Sequence, residues 1–234
     1  MSVQTFFITA TDTDAGKTLV SCAMLIAARE KGLSTAALKP VAAGVISTNE
    51  SVQSDVQNED VIALASCCSL PLTFKEINPV CFPEPVAPHI GATKLGPALD
   101  ATMLSELCQP TLNKQANLTV IEGAGGWRVP LSESETMADL VRVLGVPVIL
   151  VVGMRLGCLN HALLTAESIQ AEGVPFAGWI ANRIDPNMQA YAENLTTLQT
   201  MMPAPLIAEI PWLDSDSGMD KAASYIDLTK LGVR

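Results

Sequence analysis

The sequence is poor in aromatic and charged residues, and basic residues are scarcer than acidic ones. Of 234 residues, 4% are aromatic and 16% are charged, and 14 lysines and arginines stand against 24 aspartates and glutamates. A formal net charge of −10 without a basic cluster argues against a nucleic-acid partner, since binding phosphate backbones requires clustered lysine and arginine. An anionic ligand must therefore be held by local groups rather than by the overall field of the protein.

Long apolar runs and a recognisable targeting segment are also lacking. The most apolar stretch, residues 146–153, is far too short to cross a bilayer. The first residues do not show a charged region followed by an apolar one, which is the pattern of a secretory signal peptide. We therefore expect a cytoplasmic protein with no membrane partner.

Cysteine and histidine do not form a pattern that is typical of metal sites. The six cysteines include no C-x-x-C pair, and the two histidines stand alone. Adjacent Cys67 and Cys68 leave redox activity open, but small buried thiols in a reduced compartment are the simpler interpretation. The sequence also offers no Ser-His or Cys-His pairing of the kind used in nucleophilic catalysis.

The most informative motif present is residues 9–18, TATDTDAGKT, which follows the apolar run 6–8. It predicts a strand, a phosphate-binding loop and a helix that begins at Lys17, so that backbone N–H groups and the helix N-terminus face an anion. Lys17 can reach the outer phosphates, and the Thr18 hydroxyl can bind Mg²⁺. Ala10 replaces the first glycine of the usual pattern, which is tolerable at negative φ and strained at positive φ.

Strand and helix patterns alternate along almost the whole chain, and the continuous apolar run 147–152 is typical of a strand buried on both faces. This alternation predicts a single α/β domain over residues 1–234, a P-loop three-layer sandwich whose mostly parallel sheet has helices on both faces. The expected strands are 5–9, 35–41, 118–121, 147–152, 176–182 and 206–210. The expected helices are 17–31, 59–67 capped by Asn58, one through 108 capped by Asp100, 137–144, one to 172 capped by Asn160, 187–202 and 222–231. We expect a loop at 47–58, and irregular surface structure with about one short strand in the proline-rich stretch 70–97.

Three polar residues, Lys39, Glu122 and Asn182, stand at the carboxyl ends of expected strands. Ligands of parallel α/β sheets bind outside these ends, so all three are expected to open onto one crevice with the phosphate loop. Glu122 can hold Mg²⁺, and Lys39 is either a second cation facing the ligand or a snorkelling surface lysine. Asp60 lies in the first turn of its helix, where the helix dipole alone favours a carboxylate, so a helix-start role and a metal-binding role are equally open for it. Lys17 and Lys39 are both expected to face a solvated part of the crevice.

Taken together, the motifs resemble those of the dethiobiotin synthetase family over essentially the whole chain. The matching segments are 11–18 (TDTDAGKT), 38–42 (LKPVA), 120–127 (VIEGAGGW), 150–153 (LVVG) with 156–161 (LGCLNH), 178–182 (GWIAN), and 203–206 (PAPL) with 209–213 (EIPWL). The resemblance implies an ATP-dependent cyclo-ligase of biotin synthesis, which closes the ureido ring of dethiobiotin from 7,8-diaminononanoate and CO₂. ATP is then a co-substrate and Mg²⁺ the cofactor, and ADP and phosphate are released.

The resemblance also implies roles for individual residues. The catalytic residues would be Lys39 and Lys17, and the metal ligands Thr18, Asp60 and Glu122. The nucleotide would be bound by Asp14, Ala15, Gly16, Lys17, Thr18, Asp60, Glu122, Gly123, Ala124, Gly125, Asn182, Arg183, Pro211, Trp212 and Leu213. The substrate would be bound by Thr13, Lys39, Ala43, Cys158, Leu159 and Asn160. The last three are expected to reach the substrate's distal carboxylate across a homodimer interface. Ala43 stands where the family commonly places a serine.

Two other classes of P-loop protein remain open at this point. A switch ATPase of the partitioning type shares the strand order but carries an extra lysine early in the loop, where this chain has residues 10–12, ATD. A cobyrinate-type amide ligase would need a glutaminase domain as well, for which we expect this chain to be too short. Diamine-dependent ATPase activity distinguishes the cyclo-ligase from both.

Overall fold

The computed structural model describes residues 3–45, 58–95, 99–214 and 218–233. The strands are β1 (Gln4–Ala10), β2 (Thr35–Leu38), β3 (Val41–Ala43), β4 (Val80–Phe82), β5 (Leu118–Glu122), β6 (Val148–Met154), β7 (Phe176–Arg183) and β8 (Leu206–Ile210). The helices are α1 (Lys17–Glu30), α2 (Glu59–Cys67), α3 (Phe74–Ile77), α4 (Pro88–Leu95), α5 (Ala101–Leu112), α6 (Met137–Leu144), α7 (Cys158–Ala171), α8 (Tyr191–Met201) and α9 (Gly218–Ala223). They are followed by a short 3₁₀ helix, Leu228–Leu231.

Within the described ranges, the main sheet has six strands in the order β2-β5-β1-β6-β7-β8, and all its pairings are parallel. β3 and β4 form a separate parallel pair. This architecture confirms the predicted fold class. Because every strand of the main sheet runs in the same direction, their carboxyl ends share one edge, where ligands of such folds bind.

The sheet separates two apolar cores. Successive side chains of a strand point to opposite faces, so Ile8 packs with α1, α2 and α9 on one side, while Phe7 packs with α5, α6, α7 and α8 on the other. Every residue of β5 and β6 is buried. The continuous apolar run of β6 is therefore a central strand covered on both faces, as its composition predicted.

The prediction of one strand at 35–41 is wrong in one respect, because this segment is divided between two sheets. β2 ends at Leu38, and the Lys39 N–H donates to the Ile77 carbonyl oxygen at 2.7 Å instead of continuing the ladder. Pro40 follows, and it has no N–H to offer a neighbouring strand. The Asn78 side chain donates to the Lys39 carbonyl oxygen at 2.6 Å. Lys39 is thus held at a break in the strand by contacts from residues near α3.

The proline-rich stretch is more regular than expected. It contains the predicted short strand, β4, but also α3 and α4. Thr73 and Glu76 form a reciprocal capping box at the start of α3. α5 continues through Pro110 to Leu112 rather than ending at Cys108.

Other element boundaries also differ from expectation. α7 begins at Cys158 after Gly157, which has φ 94°, so Asn160 lies inside the helix and does not cap it. The helix expected at 222–231 is wrong, because α9 ends at Ala223 and only a short 3₁₀ helix follows. α8 begins at Tyr191 rather than at 187. The loop expected at 47–58 lies outside the described residues except for Asn58.

No helix in the described part of the chain is long and apolar enough to cross a membrane.

Candidate active site

The phosphate loop connects β1 to α1 and packs on Asn182. Gly16 has φ +92°, and a Cβ at this position would lie 2.0 Å from the Asn182 Nδ2 atom. That same Nδ2 donates to the Ala15 carbonyl oxygen at 2.9 Å. Glycine is therefore required at position 16 by both backbone conformation and space. Ala10 is the buried last residue of β1 and lies outside the residues with positive φ, so its methyl group introduces no strain there.

Four predicted residues meet in one cluster at the carboxyl edge of the sheet. The Lys39 Nζ lies 2.6 Å from Asp60 Oδ2 and 2.7 Å from Glu122 Oε1. The Thr18 hydroxyl lies 2.8 Å from Asp60 Oδ1 and 2.9 Å from Glu122 Oε1, and can donate its proton to either carboxylate. The side chains of Lys39 and Glu122 are 5% and 0% exposed, whereas that of Asp60 is 39% exposed. Lys39 is therefore a buried, paired cation and not a snorkelling surface residue.

Lys17 and Lys39 differ in their electrostatic environment. Burial would lower the pKa of Lys39, but the neighbouring Glu122 and Asp60 carboxylates outweigh it and hold this pKa above its usual value. Burial would raise the pKa of Asp60, but Lys39 and the Thr18 hydroxyl hold this pKa below its usual value. The pKa of Lys17 is lowered by burial, and no carboxylate of the described residues lies within ion-pair distance of it. The expectation that both lysines face solvent is wrong, since both are buried.

The cluster has the donor set that a hard divalent cation requires. Thr18 supplies a hydroxyl oxygen, and Asp60 and Glu122 supply carboxylate oxygens. Glu122 Oε2 is buried and lacks a hydrogen-bond partner among the described residues, although buried polar atoms are normally paired. In the described part of the chain no group of three or more acidic, cysteine or histidine side chains could hold a metal. Mg²⁺ suits such a site, because it commonly binds one or two carboxylates and completes its shell with waters and substrate phosphates.

Two cavities adjoin this cluster and share Thr13, Lys39, Asp60 and Gly125. The cavity over the phosphate loop has a volume of about 320 Å³. The second, of about 400 Å³, extends away from the loop toward the proline-rich stretch. We call them the phosphate cavity and the side cavity. The remaining residues that line the phosphate cavity are Asp14, Gly16, Lys17 and Thr18. Those that complete the side cavity are Val41, Ala42, Ala43, Asn58, Pro85, Val86, Ala87, Pro88, Ala124 and Val129.

Sequence reasoning missed part of the wall of the side cavity. Asn58 was interpreted as a helix cap, and its Oδ1 does accept from the Asp60 N–H at 3.0 Å. Its Nδ2 also donates to the carbonyl oxygens of Ala43 and Gly44, at 3.1 and 2.8 Å. One side chain thus fixes the end of β3 and the start of α2 together. The segment 85–88 was missed as well, and its prolines carried no signal beyond irregular structure.

Several other predicted site residues line neither cavity. Cys158 is buried at the start of α7, Asn160 is exposed there, and neither reaches the crevice of its own chain. Asn182, whose side chain contacts the phosphate loop, is opposite Ile210 in the register of β7 and β8, and Pro211 follows Ile210 in the sequence. The Arg183 guanidinium lies over the Tyr191 ring, 4.6 Å from its centroid.

Comparison with known proteins identifies the family. A family model described as an AAA domain matches residues 4–219. The ATP-dependent dethiobiotin synthetase BioD of Cellvibrio japonicus is 48% identical over 231 residues, with 99% of each chain covered. The protein of the same name from Pseudomonas aeruginosa is 46% identical over 228 residues, covering 97% of this chain and 98% of that protein. The chain belongs to the dethiobiotin synthetase family. This confirms the family predicted from the motifs, and with it an enzyme of the ligase class.

Two solved structures of other protein classes share the fold alone with this chain. The septum site-determining protein MinD of Pyrococcus horikoshii, complexed with Mg-ADP, gives a TM-score of 0.54 at 19% identity, covering 100% of this chain and 90% of that one. A ParA family ATPase of Chlorobium tepidum gives 0.51 at 14% identity, covering 98% and 93%. The partitioning-type alternative thus matches in architecture, whereas the dethiobiotin synthetases match in sequence along the whole chain.

Proposed function

We propose that residues 1–234 form a single ligase domain that closes the ureido ring of dethiobiotin from 7,8-diaminononanoate, CO₂ and ATP. The observation that carries this proposal is the cluster of Lys39, Asp60, Glu122 and Thr18, with Lys39 and Glu122 buried, at the junction of two cavities. One cavity adjoins a phosphate loop and the other is mainly apolar, so a nucleotide and a second substrate can meet at the cluster. We expect the enzyme to act in the cytoplasm, where ATP is available.

The reaction consists of three bond-forming steps. One amine of the diamine attacks CO₂ and loses a proton, which gives a carbamate. A carbamate oxygen then attacks the γ-phosphorus of ATP, and the bond to ADP breaks, leaving a carbamic–phosphoric anhydride. The second amine attacks the anhydride carbonyl, the carbonyl–oxygen bond to phosphate breaks, and the amine proton leaves to the expelled phosphate or to water, which closes the ring. None of these steps requires an enzyme nucleophile, and negative charge is transferred throughout between phosphoryl and carbamate oxygens.

The residues of the phosphate cavity would stabilise that charge. The loop residues Thr13–Gly16 and the start of α1 would bind phosphate oxygens through backbone N–H groups. The two lysine ammonium groups would stabilise the charge on the transferring phosphoryl group. Thr18, Asp60 and Glu122 would hold Mg²⁺, which, when bound, would neutralise charge on the phosphate oxygens.

The side cavity would bind the diamine. Val41, Ala43, Val86 and Val129 give it walls that suit a methylene chain, while Thr13, Lys39 and Asn58 provide the polar groups. Ligand sites commonly combine such apolar walls with a few convergent polar groups. The two amines would then lie at the end of the cavity that adjoins Lys39, next to the transferring phosphate.

The distal carboxylate of the diamine would bind at the start of α7 of a second copy of the chain. The first turn of a helix offers unpaired N–H groups and a partial positive charge to an anion. Cys158, Leu159 and Asn160 form that turn here, and they line neither cavity of their own chain. A homodimer with a composite site would bring them to the substrate. Adenine would bind beside Asn182 and Arg183, against residues 211–213.

Phosphate release from ATP tests this function. We expect slow release from ATP alone and a large increase when diaminononanoate and bicarbonate are both present, because water is a poor substitute for a positioned carbamate. Bicarbonate without diamine is the matched control. Equal rates with and without the diamine would overturn the proposal and favour a switch ATPase.

A further inference from the structure

The Lys39 ammonium occupies the space between the two carboxylates to which we assign Mg²⁺. It contacts one oxygen of each, Asp60 Oδ2 at 2.6 Å and Glu122 Oε1 at 2.7 Å. Thr18, the third assigned ligand, is bonded to the same two side chains. The ammonium group thus contacts both of the carboxylates that a divalent cation would use.

Burial explains why a cation is needed at this position. The Glu122 side chain is fully buried, and a carboxylate removed from water is strongly destabilised unless a positive charge accompanies it. Among the described residues, Lys39 is the ion-pair partner of both carboxylates. Lys17 is buried in the same crevice, but its Nζ lies 3.5 Å from the Asp12 carbonyl oxygen and is not paired with either carboxylate.

A divalent metal ion bound to Asp60 and Glu122 would lie close to the Lys39 ammonium group. Both are cations, and their repulsion beside the fully buried Glu122 carboxylate is strong. Binding of the metal therefore favours movement of the ammonium group away from these carboxylates. Both cavities open beside Lys39, and they provide the space for that movement.

We propose that Lys39 is a place-holding cation, which neutralises Asp60 and Glu122 in the metal-free protein and is displaced into the crevice when the metal binds. Lys39 then becomes free to contact the phosphoryl and carbamate groups only once the metal is in place. The inference rests on the proposed function in so far as that function assigns a metal to these ligands.

Binding of Mn²⁺ without nucleotide, followed by electron paramagnetic resonance, tests the competition. Lys39→Met should bind Mn²⁺ at least about 10-fold more tightly than the wild type, because a contacting charge changes a carboxylate's affinity for a cation by this order. Lys17→Met is the matched control, since it removes an equal charge from the same crevice without freeing the carboxylates. It should change the affinity much less. An unchanged or weaker affinity in Lys39→Met, or an equal gain in both variants, would overturn the proposal.

A second measurement uses the wild-type protein, in case Lys39→Met does not fold. The ammonium resonance of Lys39 in ¹⁵N-lysine-labelled protein can be assigned by its loss in Lys39→Arg. Addition of Mg²⁺ should shift or broaden this resonance in a saturable way, and chelation should restore it. A resonance that stays unchanged while the metal binds would show that Lys39 is not displaced. Diamine-dependent phosphate release is measured separately from metal binding. A failure of the proposed function is therefore distinguishable from a failure of this inference.

Discussion

The two cavities that meet at Lys39 are lined by different kinds of side chain. The phosphate cavity is lined by the loop after β1, by two buried lysines, Lys17 and Lys39, and by the Asp60 carboxylate. The side cavity is walled by β3 and by the segment 85–88, with small apolar side chains and one amide, Asn58. The first would act on its ligand mainly through charge, and the second mainly through shape. Substitutions should therefore have large effects on the first side and small ones on the second.

Removal of the Lys39 charge should have the largest effect on stability. Lys39→Met leaves Glu122 buried without its partner, and breaking a buried ion pair in this way costs about 3–5 kcal/mol. Lys17→Met should have the opposite sign, because burial disfavours the charged form of Lys17. Urea unfolding of the metal-free proteins near neutral pH measures both. If the two variants are destabilised equally, the distinction between a paired and an unpaired lysine is wrong.

The pH dependence of stability should follow from the same cluster. The pKa of Lys39 is raised in the folded protein, so its contribution is fully present below the unfolded value of about 10.4 and is lost as pH rises through the folded pKa. The pKa of Asp60 is lowered, so its contribution is present above the unfolded value of about 3.9 and is lost as pH falls through the folded pKa. Unfolding curves from pH 3 to 11 should show that Lys39→Met reduces the alkaline loss. An alkaline limb identical to that of the wild type would contradict this assignment.

Catalysis should depend strongly on both lysines. Lys17→Ala and Lys39→Ala should each lower kcat by roughly 10²–10³, the range for removal of one preorganised transition-state donor. The measurement is diamine-dependent phosphate release at a temperature where each variant is folded. Lys94→Ala on α4, which removes an exposed lysine paired with Glu84, is the control and should leave kcat unchanged. A near-normal kcat in Lys39→Ala would leave Lys39 with a purely structural role.

The contact between the phosphate loop and Asn182 can be tested with glycine variants. Gly16→Ala introduces both a strained backbone and a clash with the Asn182 amide, so ATP affinity should fall at least about 10-fold and stability by more than the roughly 1–2 kcal/mol of strain alone. Gly32→Ala is the control, because its φ is +75° but nothing lies within 4 Å of the added methyl group. Asn182→Ala in the Gly16→Ala background should recover part of the stability. Equal losses in Gly16→Ala and Gly32→Ala would show that the contact is unimportant.

The smallest effect is expected on the side cavity. Ala43→Ser adds a hydroxyl to its wall, which should alter KM for the diamine more than kcat. The expected gain in binding is about 0.5–1.5 kcal/mol, the contribution of one neutral hydrogen bond. Steady-state kinetics with varied diamine measures this change, and Ala192→Ser on the exposed side of α8 serves as the control. An unchanged KM in Ala43→Ser would mean that position 43 does not contact the substrate.

The sequence predicted the charged side of the crevice well, for a simple physical reason. Parallel strands end at one edge, so Thr18, Lys39 and Glu122 could be placed together without any knowledge of loops. The bounds of α2 matched the observed helix, and its cap at Asn58 set the position of Asp60. These features depend on local chemistry that can be read within a few residues.

What the sequence did not predict depends on contacts between distant segments. The break after Leu38 is stabilised by hydrogen bonds from Ile77 and Asn78, which no local pattern near Lys39 reveals. The burial of Lys39 likewise requires β2, α2 and β5 to converge. The second role of Asn58 is set by carbonyl groups about 15 residues earlier in the chain. Tertiary contacts of this kind override local preferences.

The pairing of β1 has a consequence for synthesis of the protein. Its neighbours in the sheet are β5 and β6, so Phe7 pairs with Ile121 and Val148, both more than about 110 residues later. The ribosome adds roughly 5–20 residues per second, so several seconds pass between the synthesis of β1 and that of its sheet partners. During this time β1 and the apolar face of α1 remain exposed. Such delayed, non-local pairing slows folding and leaves apolar surface open to aggregation. Chains interrupted before β6 should therefore be captured by chaperones with their phosphate loops still unformed.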